Sequence, residues 1–130
     1  MQMNKISIAA LALAISAFAP AVYAAATDYE FQPVVVDVKN GAGSEMAVRL
    51  VHKATGKPVE GAVIFRTRLD MSPDSMGEMT AKHIAVPGTE PGIYRFKADF
   101  TMAGGWAFKL QVKVPGETET VEGTVVFKAK

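Results

Sequence analysis

The chain of 130 residues contains no cysteine. No disulfide can cross-link the fold, so a small exported domain of this composition has to be held together by packing alone. The absence also excludes thiolate metal sites, thiol nucleophiles and redox-active cysteine pairs. Any metal site in this protein must therefore use methionine, histidine, carboxylate or main-chain ligands.

Histidine is nearly as scarce, with two residues, His52 and His83. The sequence contains no Gly-x-Ser-x-Gly nucleophile motif and no phosphate-binding glycine loop. Paired carboxylates such as Glu117 and Glu119 occur on any acidic surface. Because no base, nucleophile and pocket can be assembled from these residues, we predict that the protein is not an enzyme.

A surplus of positive charge is also missing. The formal net charge of the whole chain is +1, and Lys5, the only basic residue among the first 24, accounts for it. Residues 25–130 are formally neutral, which argues against binding to nucleic acid or anionic lipid. They also contain no apolar run long enough to cross a bilayer, so we expect no transmembrane segment in the mature chain.

The longest apolar run lies at the amino terminus and is organised like a signal peptide. Lys5 supplies a positive charge, residues 6–18 (ISIAALALAISAF) are apolar, and AVYA ends in small residues at the positions that a signal peptidase reads. We predict a cleaved signal peptide over residues 1–24, with cleavage after Ala26 as the alternative. The mature protein is then expected to be periplasmic, with a single domain over residues 25–130.

The rest of the sequence alternates with a period of two. In 106–114, apolar side chains occupy one face and lysine or glutamine most of the other, as expected of a strand with one dry face. The segment 93–100 repeats this pattern, and PGIY, residues 91–94, reads as a corner where the hydroxyl of Tyr94 bonds back to the main chain. The other predicted strands are 29–39, 46–52, 62–69, 83–86 and 119–128.

About seven short strands with turns between them and no convincing helix after the leader predict an all-β fold. The expected architecture is a single antiparallel immunoglobulin-like β-sandwich.

Methionines are concentrated where the sequence otherwise reads as a loop. Segment 69–83, LDMSPDSMGEMTAKH, contains three of them among proline, glycine, aspartate and serine. Another methionine lies in the DFTMAGGW run between two predicted strands. Thioether sulfur is a soft ligand, and together with imidazole it favours Cu(I). The candidate metal ligands are Met71, Met76, Met79, Met102 and His83.

Packing offers an alternative for some of these residues, because methionine is a flexible gap-filler in cores. Met71 continues the predicted inward phase of Val63, Phe65, Thr67 and Leu69, and Met102 continues the phase of the strand before it. No strand phase explains Met76 or Met79. His52 is interpreted as a polar residue at a strand end, and His83 is open to either interpretation.

Two longer runs, GKPVEGAVIFRTRLDMSPDSMGEM and PGIYRFKADFTMAGGWAFKLQV, resemble the YtkA-like family of small exported bacterial domains, which is related to the FixH proteins. The resemblance covers residues 34–127. It implies an immunoglobulin-like sandwich outside the cytoplasm, associated with copper or heavy-metal export or with maturation of a membrane oxidase. Met71, Met76 and Met102 occupy the motif positions of this family.

We therefore expect a soluble periplasmic accessory protein that binds copper, as Cu(I), weakly for a metal export or metalloenzyme-assembly system. Its partner would be a membrane efflux or oxidase-assembly protein, and it would be a monomer or weak dimer. The alternative is a module that contacts a membrane complex through a non-metal patch formed by Met71, Met76, Met79 and Trp106. A third hypothesis is strand addition at an exposed edge within 29–39.

Overall fold

The computed structural model describes residues 28–130, so the predicted signal peptide and its cleavage site lie outside the described residues. This part of the chain forms nine strands and one short 3₁₀-helix, Ser72–Asp74. The strands are β1 (Tyr29–Pro33), β2 (Asp37–Val38), β3 (Gly41–His52), β4 (Val63–Met71), β5 (Met76–Thr80), β6 (His83–Val86), β7 (Ile93–Phe100), β8 (Gly104–Lys113) and β9 (Val121–Ala129).

The strands form two sheets that pack face to face. The first sheet has the order β1-β3-β7-β6 and the second the order β2-β9-β8-β4-β5. This arrangement confirms the predicted immunoglobulin-like sandwich. One pair differs from the antiparallel expectation, since β2 runs parallel to β9. The difference arises because the predicted strand 29–39 is divided: the chain leaves the first sheet after β1 and continues along the edge of the second.

The core lies between the sheets and follows the alternation of the sequence. On β8 the inward side chains Trp106, Phe108 and Leu110 are all buried, as the pattern predicts. Phe96 of β7 meets Phe108 edge-on with ring centroids 4.8 Å apart. This contact joins the two sheets and adds aromatic pairing to the burial of apolar area.

The inward phase predicted for β4 is wrong at its beginning. Val63 is 59% exposed and Phe65 47% exposed, whereas Ile64 between them packs against the core. The pairing of β4 with β8 shifts register just after Ile64, and a bulge of this kind changes which residues face inward. Beyond the bulge the predicted phase holds, so that Leu69 and Met71 are buried.

The segment 69–83 is more regular than the predicted loop. It contains the end of β4, the 3₁₀-helix and β5, so the structure has more strands than the seven expected. The sequence of β5, MGEMT, has no apolar alternation, and its residues are partly or fully exposed. A strand with no dry face gives no period-two signal.

The predicted role of Tyr94 is confirmed. Its hydroxyl donates to the carbonyl oxygen of Val59 at 2.7 Å and accepts from the N–H of Ala62 at 3.1 Å. Gly92, two residues earlier, has a φ of +74°, and a Cβ there would lie 2.6 Å from the Cβ of Pro58. These contacts fix the segment that leads into β4.

Candidate methionine site

The turn after β4 brings two methionines opposite each other. Met71 ends β4, and the 3₁₀-helix that follows has Pro73 in its first turn, where its fixed φ suits the conformation. Ser75 closes this helix in the left-handed region at φ 61°, and its N–H donates to the carbonyl of Ser72. Met76 then begins β5 as the direct partner of Met71. The Cβ atoms of such cross-strand partners lie about 5 Å apart.

The turn between β7 and β8 lies against this hairpin. The carboxylate of Asp74 accepts the N–H of Gly105 at 3.1 Å. Gly104 has a φ of +136°, and a Cβ there would collide with that carboxylate and approach the methyl carbon of Met71 to 2.8 Å. Gly104 is therefore required where the 3₁₀-helix packs on β8, and a Cβ at Gly105 would lie 3.0 Å from the Cβ of Pro73. The runs DMSP and MAGGW, distant in sequence, meet in space.

We call this region the methionine end and define it by Met71, Met76, Met79 and Met102. Met71 is fully buried, and Met76 is partly buried against the core. Met79 is 38% exposed and Met102 is 40% exposed. The main-chain carbonyl of Met102 accepts the indole N–H of Trp106 at 2.9 Å, which fixes the turn over the core. The structure thus brings Met71, Met76 and the turn carrying Met102 together, with Met79 further along β5.

Asp70 anchors the methionine end. Its burial was not predicted from the sequence. It is 1% exposed and accepts from the N–H of Ser72 at 2.9 Å, the Nε of Arg68 at 2.8 Å and the Nζ of Lys109 at 2.9 Å. Burial on its own raises the pKa of this carboxyl, but the hydrogen bonds from Ser72, Lys109 and Arg68 outweigh it and lower the pKa well below its usual range. One sequence feature is consistent with this role. An aspartate side chain commonly accepts the main-chain N–H two residues later, which here is that of Ser72.

His83 bonds to groups outside the methionine end. Its Nδ1 is 3.0 Å from the carbonyl oxygen of Ala81, and its Nε2 is 2.6 Å from the hydroxyl of Thr67. Because a carbonyl can only accept, Nδ1 carries a proton and donates to Ala81, and Nε2 bonds to the hydroxyl of Thr67. Thr67 precedes Met71 by four residues in β4, which corresponds to about 13 Å along a strand. His83 therefore connects β6 to the opposite sheet.

The structure buries half of the contact patch predicted from Met71, Met76, Met79 and Trp106. Met71 and Trp106 are both fully buried, so two of its four members face the core. Within residues 28–130 there is no group of three or more histidine, aspartate or glutamate side chains that could hold a metal ion.

The YtkA-like family model matches residues 23–111, about two thirds of the chain. The chain belongs to the YtkA-like family. This confirms the YtkA-like part of the resemblance seen in the sequence, and the matched region of the YtkA-like domain includes the whole methionine end. None of the helices in residues 28–130 of this YtkA-like domain is long and apolar enough to cross a membrane.

Comparison with solved structures finds the ZirS C-terminal domain, with a TM-score of 0.45 and 12% sequence identity. The alignment covers 98% of this YtkA-like chain and 87% of that domain. No curated protein matches the chain significantly.

Proposed function

We propose that this YtkA-like domain is a soluble periplasmic accessory protein that binds Cu(I) weakly at the methionine end. It exchanges the ion with a membrane efflux or oxidase-assembly protein. One observation carries the proposal: the β4–β5 hairpin and the β7–β8 turn pack on each other, so that methionines from two distant motifs lie at the same end of the sandwich.

The donor set suits a soft, transferable ion. Thioethers favour Cu(I) over harder cations, and a site without thiols does not oxidise to disulfides. Met71 is fully buried and forms the apolar floor beneath the site, while Met76 and Met102 are less buried and can reorient. Met79, exposed on β5, is placed to receive or release the ion. His83 is left outside this set because both of its ring nitrogens are bonded.

The location and partner in this proposal rest on the sequence. The leader over residues 1–24 has the organisation of an export signal, and the resemblance to FixH proteins suggested by the sequence motifs favours a partner in a membrane metal or oxidase system. A weak site built from flexible side chains fits an ion that is passed on, and it also fits a domain that acts as a monomer or weak dimer.

The proposal is tested by anaerobic titration of the mature domain with Cu(I) against a chromophoric chelator. We compare the wild type with a Met76→Leu, Met102→Leu double variant, which removes sulfur but keeps the volume of the side chains. Met46→Leu is the matched control, since Met46 is buried in the middle of β3. Volume-conserving changes of this kind cost less than about 1.5 kcal/mol each, so all three proteins are expected to fold.

We expect the wild type and Met46→Leu to take up one equivalent of Cu(I) and the double variant to lose it. Two outcomes would overturn the copper proposal: a wild type that never competes with the chelator, or a double variant that binds as the wild type does.

A protein-contact role is the second candidate, favoured by the exposure of Met79 and Met102. Flexible, exposed methionines suit an adaptable contact surface. This role predicts no uptake of Cu(I) in the titration. It also predicts that Met79→Lys, which keeps the fold, abolishes binding to the partner complex.

A further inference from the structure

The pairing of β4 with β8 ends just before the methionine end. Its last pair is Asp70 with Ala107, whereas β8 continues to Gly104 and remains paired with β9 there. After β4 the chain turns into the 3₁₀-helix, and the N–H of Gly105 donates to the carboxylate of Asp74 at 3.1 Å. A side chain of the 3₁₀-helix therefore accepts a main-chain hydrogen bond at the point where the partner strand has ended.

The bond between Asp74 and Gly105 joins the two parts of the methionine end. Three of the methionines belong to the hairpin that contains the 3₁₀-helix, and Met102 belongs to the β7–β8 turn. Among the hydrogen bonds of residues 28–130, this is the one that connects 72–80 with 101–105. The indole of Trp106 fixes the turn to its own strand and not to the hairpin. The attachment of Met102 to the other methionines therefore depends on Asp74.

The carboxylate of Asp74 is closely surrounded at this point. A Cβ on Gly104 would overlap Oδ2 of Asp74 and would lie 2.8 Å from the methyl carbon of Met71. A Cβ on Gly105 would lie 3.2 Å from Oδ1. The turn, the carboxylate and the thioether of Met71 are therefore in contact around one point, with no space for another side chain. A shift of the carboxylate would move the turn relative to the hairpin.

The role of Asp74 is that of a hydrogen-bond acceptor. Asp74 is exposed, and the four salt bridges formed within residues 28–130 do not include it. Asp70, by contrast, is buried and bound by Arg68 and Lys109. An uncharged oxygen in the place of the Asp74 carboxylate could accept the same N–H. A carboxylate is also a harder donor than a thioether, which makes Asp74 a poor ligand for Cu(I).

We propose that Asp74 is a positioning residue of the methionine end. By accepting the N–H of Gly105, it holds the β7–β8 turn against the hairpin and sets the distance between Met102 and Met76. The hydrogen bond, and not the charge, is responsible. The consequence for copper rests on the proposed function, whereas the link between the turn and the hairpin is measured without metal.

The test compares Asp74→Ala, which removes the acceptor, with Asp74→Asn, which keeps an acceptor oxygen but not the charge. Glu78→Ala is the matched control, because it removes an exposed carboxylate from β5 at the same end of the sandwich. Amide hydrogen exchange, measured by NMR on the metal-free domain, reports whether the N–H of Gly105 is still bonded. Competition with the chromophoric chelator gives the Cu(I) affinity of each variant, and urea unfolding establishes that each is folded.

We expect Asp74→Ala to accelerate exchange at Gly105 about tenfold and to weaken Cu(I) binding by about the same factor, the size expected for the loss of one hydrogen bond. Asp74→Asn should restore most of both. Glu78→Ala should match the wild type in both. Exchange at Leu110, in the middle of β8, should be the same in all four proteins, which would show that the effect of Asp74→Ala is local.

Unchanged exchange at Gly105 in Asp74→Ala would overturn the proposal, and so would faster exchange with unaltered Cu(I) affinity. If Asp74→Asn loses as much affinity as Asp74→Ala while exchange at Gly105 stays as in the wild type, the carboxylate is a ligand and the proposal is wrong. A wild type that takes up no Cu(I) would overturn the proposed function. The exchange rates alone would then decide whether Asp74 holds the turn to the hairpin.

Discussion

Asp70 is the residue on which the methionine end depends. It is the one buried charged side chain among residues 28–130, and its carboxylate joins β4, the 3₁₀-helix and β8. Burying a charge is unfavourable unless it is paired and hydrogen-bonded, and here three donors meet that requirement. The geometry of the turn that positions Met71 and Met76 is thereby linked to an ionised side chain.

We predict that Asp70→Asn destabilises the domain by about 2 kcal/mol at pH 7, the scale for losing hydrogen bonds to a charged group. The pKa of Asp70 is lowered by folding, so its contribution is present above the unfolded-state pKa near 4 and is lost as pH falls through the lower folded value. Urea unfolding at pH 7 and in steps below pH 4 measures this. The difference in free energy of unfolding between the wild type and Asp70→Asn should become smaller as the pH is lowered.

The control for this prediction is Glu122→Gln, on the exposed side of β9. It should unfold like the wild type at each pH. If the difference in free energy of unfolding between the wild type and Asp70→Asn instead stays constant with pH, the carboxylate acts through its shape and not its charge.

Tyr29 forms a second local anchor whose effect appears at the opposite end of the pH range. Its hydroxyl donates to the carboxylate of Glu117 in the β8–β9 turn, and burial, followed by this contact, raises its pKa to about 12. Because the folded pKa lies above the unfolded value near 10, the stabilisation is complete below pH 10 and is lost as pH rises through 12. We predict that Tyr29→Phe lowers stability by about 1 kcal/mol at pH 7.

Ultraviolet absorbance titration of phenolate checks the Tyr29 prediction directly. The wild type should show a tyrosine that ionises near pH 12, and Tyr29→Phe should lack it. Ionisation of Tyr29 near pH 10 in the folded protein would contradict the buried contact with Glu117.

Met71 shows where reading single residues from the sequence reaches its limit. Strand phase correctly suggested that it packs in the core, yet its apolar character is equally compatible with a soft ligand. Only the burial of Met71 distinguishes a packed side chain from a ligand. That burial depends on the contact between Gly104 and Asp74, which are 30 residues apart in the sequence. No local pattern records that contact.

At the scale of strands, regular alternation was predictable and its interruptions were not. β7 and β8 were identified from the sequence because their two faces differ in polarity. The bulge in β4 reversed the facing of Val63 and Phe65, and β5 gave no signal because it has no dry face. Both features depend on how neighbouring strands pair, a property of the sheet and not of one segment.

Gly123 tests how β1 is attached to the sandwich. Inward residues of β9 are buried valines and Phe127, but at Gly123 the ring of Phe31 from β1 takes the place of a side chain. A Cβ at Gly123 would overlap that ring. We predict that Gly123→Ala costs about 1–3 kcal/mol, as overpacking of a core does, measured by urea unfolding.

The matched comparison for Gly123 is a double variant with Phe31→Leu. If overlap with the ring is the cause, the alanine should be much less costly when Phe31 is already replaced, giving a favourable coupling between the two sites. Strictly additive effects would show that Gly123 is needed for another reason.

For the whole molecule, the fold was predictable and the site only in part. Short alternating strands separated by turns determine a sandwich, because each dry face must be covered by another. The methionine end requires two turns to meet. This is a consequence of topology, which alternation in the sequence does not specify.

Methionine oxidation can report both local exposure and global opening of this sandwich. Met79 and Met102 are exposed in the native state, whereas Met46 and Met71 are buried in different sheets. Peroxide should therefore oxidise the exposed pair first, and the buried pair should react only when the domain opens. Peptide mass spectrometry after timed exposure measures the four rates separately.

Combining this measurement with Gly123→Ala separates the two kinds of opening. If the domain unfolds cooperatively, the variant should accelerate oxidation of Met46 and Met71 by the same factor, because both react only after the same unfolding event. A loss of about 1 kcal/mol in the free energy of unfolding corresponds to about fivefold, and a loss of about 1.4 kcal/mol to about tenfold. Met79 and Met102 should keep their rates. If Met71 accelerates alone, or reacts as fast as Met79 in the wild type, the methionine end opens independently of the core, and the buried sulfur assigned to the floor of the copper site is accessible without unfolding.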